Sequence, residues 1–164
     1  MALPPDRELA VLDDLLATVP HDAEHLLPLL HAVQRELGCV SPGATRVIAD
    51  AFNLSRAEVH GVVTFYSDFR ETPVGDVVVQ LCMAEACQAV GCRDLAAHAE
   101  RTLGVTMDGT TEDGRVHLEA TYCLGNCALG PSVRIGDTVH GLVAPHRFDA
   151  LVQQTRSAVT EATT

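Results

Sequence analysis

The chain contains no lysine and no tryptophan. All of its eleven basic residues are arginine, set against 22 acidic ones for a formal charge of −11. An acidic surface repels phosphate backbones and anionic lipid, which argues against nucleic acid as a partner. With four Phe and two Tyr in 164 residues, the core must be built mainly from Val, Leu and Ala, with few large rings to specify its packing. We read a modest subunit that leans on a neighbour. No apolar run approaches the roughly 20 residues of a membrane span. The opening MALPPDRELAVLDD lacks the basic-then-apolar order of a secretory signal and the Arg- and Ser-rich make-up of a transit peptide. The expectation is a cytoplasmic protein, where six cysteines point to metal or redox chemistry rather than to disulfides. Also missing are a C-x-x-C dithiol, a Walker loop, a dinucleotide fingerprint and any nucleophile–base constellation, so no catalytic residues of its own are expected.

Residues 1–72 carry helical periodicity and are expected to form a helical module. Leu9, Leu12, Leu16 and Val19 make one stripe, stopped by Pro20; Leu26, Leu29, Leu30, Val33 and Leu37 make a second, closed by Gly38. Pro28 either fills the first turn of that helix or kinks it. Ser41-Pro42 is a start signal for a short helix over 45–52. Ser55-x-x-Glu58 is a capping box opening a helix with Val59, Val62, Val63 and Tyr66. The last two helices resemble a helix-turn-helix. Arg56 and His60 are offset by Glu58 and Asp68, so a packing role is favoured over DNA reading.

From Asp76 the period changes. Val77 to Leu81 is a nearly continuous apolar strand, of the kind covered on both faces. A helix follows over 92–103, ended by Gly104, then a short strand at 105–107 and a polar loop over 108–114. Residues 115–121 alternate as a half-covered strand, with Val116, Leu118 and Ala120 facing inward. Residues 132–141 read as a hairpin turning at Gly136-Asp137. A last helix spans 145–153, and 158–164 form a flexible tail. The order predicts an α/β fold: the helical module, then a domain over 73–157 with a small mixed sheet and helices against it, a thioredoxin-like arrangement.

The chemistry concentrates in Cys82-x4-Cys87 and Cys123-x3-Cys127, each pair just after a strand. Two strand ends lying side by side would gather four thiolates around one small inorganic object. Two irons bridged by two sulfides need two protein ligands each, so a [2Fe–2S] cluster on Cys82, Cys87, Cys123 and Cys127 is expected. Small residues in both loops let backbone amides approach sulfur. Structural zinc is the alternative, although its knuckles more often use x2 spacing. It would leave a stapled interaction module without redox function; a cluster-bearing DNA regulator is a further class. Cys92 shares a face with Leu95, Ala96 and Ala99 and is read as a buried thiol, and Cys39 as structural. His21 and His25 have ligand spacing, but a solvated pair is the simpler reading.

CMAEAC, followed by CLGNCALGPSVRIGDTVHG and preceded by GVVTFYSDF, resembles the small thioredoxin-like [2Fe–2S] subunit of NAD-linked oxidoreductases. Those include NADH dehydrogenase (complex I), NAD-reducing hydrogenase and the gamma subunit of NAD-dependent formate dehydrogenase. The local flavour of EACQAVGC and FYSDFR points to the last of these. The resemblance spans roughly 22–155 and implies the same ligands: Cys82, Cys87, Cys123 and Cys127. It also implies one-electron transfer beside a flavin-bearing subunit that carries FMN and binds NAD, with further iron–sulfur subunits as partners. In complex I the chain would sit at the membrane periphery without spanning it.

Overall fold

The computed structural model describes residues 5–162, with side chains from Asp6 to Ser157. The chain divides into two compact units, the first ending at Pro73 and the second beginning at Val74.

In the first unit, α1 (Pro5–Leu16), α2 (Leu26–Leu37), α3 (Pro42–Ala51) and α4 (Arg56–Phe65) share one aliphatic core. Leu12, Leu30, Val33, Ile48, Val59 and Val63 are buried in it. The capping signals act as the sequence indicates. The Ser41 hydroxyl accepts from the Ala44 amide at 2.9 Å, and Ser55 and Glu58 form the reciprocal box. Gly38 takes φ +76° and donates to the Gln34 carbonyl. Pro28 lies in the first turn of α2, where its missing N–H costs no ladder bond. Two expectations are corrected. α1 stops at Leu16 rather than at Pro20, where the Thr18 hydroxyl donates to the Leu15 carbonyl at 2.7 Å and the His21 ring lies 3.1 Å from the Leu16 carbonyl. Leu9 and Tyr66 are exposed, so the apolar stripes are narrower than the spacing suggests.

The second unit is a five-stranded sheet in the order β2-β3-β1-β4-β5. Its strands are β1 (Val77–Cys82), β2 (Gly109–Thr110), β3 (Val116–Thr121), β4 (Val133–Ile135) and β5 (Thr138–His140). β1 and β3 run parallel; the other pairings are antiparallel. Val79, Leu81, Val116, Leu118 and Val133 point to one face and pack with Leu95, Ala99 and Leu103 of α6 (Cys92–Leu103) and Phe148 and Val152 of α7 (Pro145–Ala162). The opposite face carries a polar row, in which Gln80 bonds Glu119 and His117 lies 2.9 Å from the Thr110 hydroxyl.

That row corrects the half-covered reading of residues 115–121, because His117 is buried along with Val116 and Leu118. The short strand expected at 105–107 instead forms at Gly109–Thr110, inside the presumed polar loop. Glu100 holds the Met107 amide at 2.8 Å and a turn bonds Gly109 to Thr106, so the chain reaches the β3 edge two residues later. The helix expected over 145–153 continues to Ala162, through most of the presumed tail, while 163 and 164 lie outside the described residues. A five-residue helix, α5 (Glu85–Ala89), occupies what reads in sequence as a loop.

Candidate metal centre

The parallel pairing of β1 with β3 builds the site. Its register sets Cys82 opposite Thr121, so both strands release their loops at the same end of the sheet. Cys82 closes β1, with its amide bonded to the Ser132 carbonyl at 3.0 Å, and the next amide, Met83, is bonded to the Thr121 carbonyl at 2.8 Å. The chain then turns into α5, which carries Cys87 inward. Cys123 lies two residues beyond β3. Cys127 opens a short 3-10 turn, Cys127–Leu129.

Cys82, Cys87 and Cys92 form one buried cluster under Met83, Ala84 and Leu124. Cys123 and Cys127 are exposed, with sulfurs 3.6 Å apart. The two loops touch through sulfur. Burial opposes ionisation of Cys82, but hydrogen bonds from the Ala84, Leu124 and Cys123 amides and from the Cys87 thiol outweigh it and draw its pKa below the usual value. Burial and the neighbouring Cys82 push Cys87 up, against a hydrogen bond from the Ser132 amide. Cys127 is raised by its hydrogen bond to Cys123 and by that thiol's charge. The Gly125 amide donates to the Cys123 sulfur at 3.4 Å.

Local geometry is adapted to sulfur. Cys123 has φ +86°, a conformation that costs a side-chain-bearing residue about 1–3 kcal/mol and collects at functional sites. A Cβ on Gly130 would lie 3.3 Å from the Cys87 sulfur and 2.9 Å from Val90, so only glycine lets this backbone pass so close. The thiols are thus paired two and two, with amides directed at them. This donor set fits a [2Fe–2S] cluster, in which each iron takes two protein ligands.

The other candidates lie elsewhere. Cys39 is buried in the first unit, its pKa raised by burial and then by Glu8. Cys92 is a buried thiol as expected, raised by burial and by the charge of Cys82, and it adjoins the first pair. His25 bonds Asp22 at 2.6 Å, whereas His21 packs on Phe52, so the two are not a ligand pair. The sequence reading missed α5, the 3-10 turn and Ser132, which reaches both Asn126 and Cys87. The only local signal for them was the clustering of small residues.

Comparison with known proteins identifies the family. The chain is 33% identical over 142 residues to an NADH-quinone oxidoreductase subunit of Rhizobium meliloti (strain 1021), covering 87% of this chain and 84% of that one. It is 34% identical over 140 residues to the HndA subunit of the NADP-reducing hydrogenase of Solidesulfovibrio fructosivorans, covering 85% and 81%. A crystal structure of an NAD+-reducing [NiFe]-hydrogenase has the same fold, with a TM-score of 0.72 at 21% identity. The alignment covers 82% of this chain but only 23% of the hydrogenase chain. Residues 12–156 match the family described as thioredoxin-like [2Fe–2S] ferredoxin, and the chain belongs to that family.

Proposed function

We propose that the chain is the [2Fe–2S] electron-transfer subunit of an NADH-quinone oxidoreductase or of an NAD(P)-reducing hydrogenase. In this reading the unit from Val74 onward is the cluster domain, with Cys82, Cys87, Cys123 and Cys127 as ligands, and the helical unit ending at Pro73 is its support. A cluster of this kind supplies one-electron chemistry when bound. The chain's own residues prepare its place. Three backbone amides donate to the Cys82 sulfur and favour its ionised form, the Ser132 amide is directed at Cys87, and Gly130 keeps the wall beside Cys87 thin. Hydrogen bonds to sulfur set cluster potential, so these amides are the chain's means of tuning it.

The observation that carries the reading is the meeting of the two loops, with the Cys123 and Leu124 amides on the Cys82 sulfur. A flavin-bearing subunit that binds the nicotinamide is the partner, and the cytoplasm the compartment. No helix among the described residues is long and apolar enough to cross a membrane, so within a quinone-reducing complex the chain would occupy the periphery. The resemblance to formate dehydrogenase gamma gives way here. The relatives described above are named for NADH-quinone oxidoreductase and hydrogenase, and these set the proposed host.

The test is metal and acid-labile sulfide per chain on anaerobically purified protein, with an EPR spectrum after dithionite. Equal iron and sulfide with an S = 1/2 signal is the expected result; zinc without sulfide would overturn the reading. Assaying the isolated complex for quinone reduction, hydrogen oxidation and formate oxidation then identifies the host.

A further inference from the structure

The four proposed ligands differ in what can reach them. Cys123 and Cys127 are exposed, with sulfurs 3.6 Å apart. Two thiolates on one tetrahedral metal, with bonds of about 2.3 Å, stand roughly 3.7 Å from each other. The exposed pair therefore already holds the bite that one iron needs. Cys82 and Cys87 are only 3% and 1% exposed and lie beneath Met83, Ala84 and Leu124. A donor arriving from solvent meets the first pair and not the second.

Leu124 links the two pairs. It follows Cys123 directly, its side chain packs on the buried cysteines, and its amide donates to the Cys82 sulfur. The loop that presents the exposed pair is thus also the cover of the buried one. The backbone on both sides of Leu124 is left-handed, with φ +86° at Cys123 and +74° at Gly125. The buried pair is fixed to the frame instead. The Cys82 amide bonds the Ser132 carbonyl at 3.0 Å, the Met83 amide bonds the Thr121 carbonyl at 2.8 Å, and Cys87 sits within α5. Access to Cys82 and Cys87 therefore requires the Leu124 loop to move, because the frame does not.

We propose that the site is filled from the outside inward, by two thiol exchanges with a donor that already holds a [2Fe–2S] cluster on thiolates. Cys123 and Cys127 capture first; Cys82 and Cys87 follow once Leu124 has swung aside. The proposal rests on the ligand set read above. In the first exchange Cys123 and Cys127 form two iron–sulfur bonds, two donor thiolates leave, and the cysteine protons pass to those leaving thiolates. In the second, Cys82 and Cys87 do the same at the other iron. Neither exchange moves an electron, and both sulfides stay in place. The reaction that supplies this chain is therefore ligand exchange on a preassembled cluster, not stepwise addition of iron and sulfide.

The test mixes the glutathione-coordinated [2Fe–2S] complex with the full iron-free chain under argon. Stopped-flow circular dichroism and the release of glutathione follow the reaction. The expected course is a phase that scales with probe concentration and frees two glutathiones per chain, then a concentration-independent phase that frees the other two. Cys127→Ser lowers the rate of the first phase by roughly tenfold or more, because a single thiolate lacks the second, intramolecular bond. Cys87→Ser spares that phase and stops the second, so native mass spectrometry finds two glutathiones still attached. Leu124→Ala quickens the second phase alone by roughly fivefold, since fewer apolar groups must be uncovered. The Tm of each iron-free variant checks its folding, and brief iodoacetamide treatment of the unmodified chain, which blocks the exposed pair, abolishes the first phase without any substitution. Release of all four glutathiones in one step overturns the proposal, as does a Cys87→Ser variant that captures as slowly as Cys127→Ser. An unmodified chain that retains no iron and sulfide after gel filtration overturns the functional reading beneath it instead.

Discussion

The two cysteine pairs proposed as ligands stand in opposite environments. Cys82 and Cys87 are buried, held between the end of β1 and a short helix, whereas Cys123 and Cys127 stand in solvent on an irregular loop. The first pair belongs to the core of its unit and the second depends on local strain, shown by the positive φ of Cys123. One half of the site is thus built by folding, and the other is held by turn chemistry and hydrogen bonds to sulfur.

The largest effect expected is loss of the cluster. Cys87→Ser and Cys123→Ser each abolish or reshape the EPR signal, and a normal spectrum in Cys123→Ser would remove that residue from the ligand set. The comparison sharpens in the cluster-free chain. There Cys87→Ser costs about 1–3 kcal/mol, because a hydroxyl replaces a buried thiol. Cys127→Ser, on the surface, stays within about 0.5 kcal/mol. Equal denaturant midpoints for the two would break the distinction between a folded half and a held half.

Next comes Gly141→Ala. Its Cβ would meet the Asn126 side chain at 2.6 Å and the Leu129 carbonyl at 2.8 Å, so overpacking of about 1–3 kcal/mol is expected. The damage falls on the turn that carries Cys127, and iron per chain drops with it. A weaker difference should appear in alkylation: iodoacetamide on the cluster-free protein modifies Cys123 and Cys127 before Cys82, Cys87, Cys92 and Cys39, as mass spectrometry of digests reports.

The smallest effects lie away from the site. Cys39→Ser leaves the cluster spectrum unchanged. The Cys39 pKa is raised by burial, so the stability it contributes is complete below its unfolded value of about 9.0 and declines as the pH rises beyond it. Glu58, held low by its hydrogen bonds from Ser55, has the opposite sign. Its contribution is present above its unfolded value of 4.5 and disappears as the pH falls through the lowered folded value. Thermal melts of the wild-type and Ser55→Ala chains across these two windows check both signs.

Much of the fold was legible because its signals are local. Caps at Ser41 and Ser55, the Gly38 and Gly104 terminators and the Gly136-Asp137 turn all act in the structure as their chemistry indicates. The apolar run of β1 likewise marks a strand hydrogen-bonded on both sides. What failed depends on distant partners. Nothing near His117 says that Thr110 will cover it, and β2 exists because the Glu100 carboxylate fixes the Met107 amide. The cysteine spacing pointed to two chelating loops, but the difference in their burial could not be read from it. That difference arises from α5, whose five residues are too few to show a period, and from contacts of Gly130 and Gly141 with side chains far along the chain.

The pairing of β1 with β3 also governs which changes of chain length the molecule tolerates. Side chains alternate along a strand, so one residue inserted between Val77 and Cys82 would turn either the Val79 and Leu81 row or Cys82 itself toward the wrong side of the sheet. An insertion of the same size at the Glu112–Gly114 turn, which is exposed and ahead of β3, leaves the paired positions as they are. Insertions and deletions accumulated by descendants of this chain are therefore expected to collect at that turn and to spare the six residues of β1.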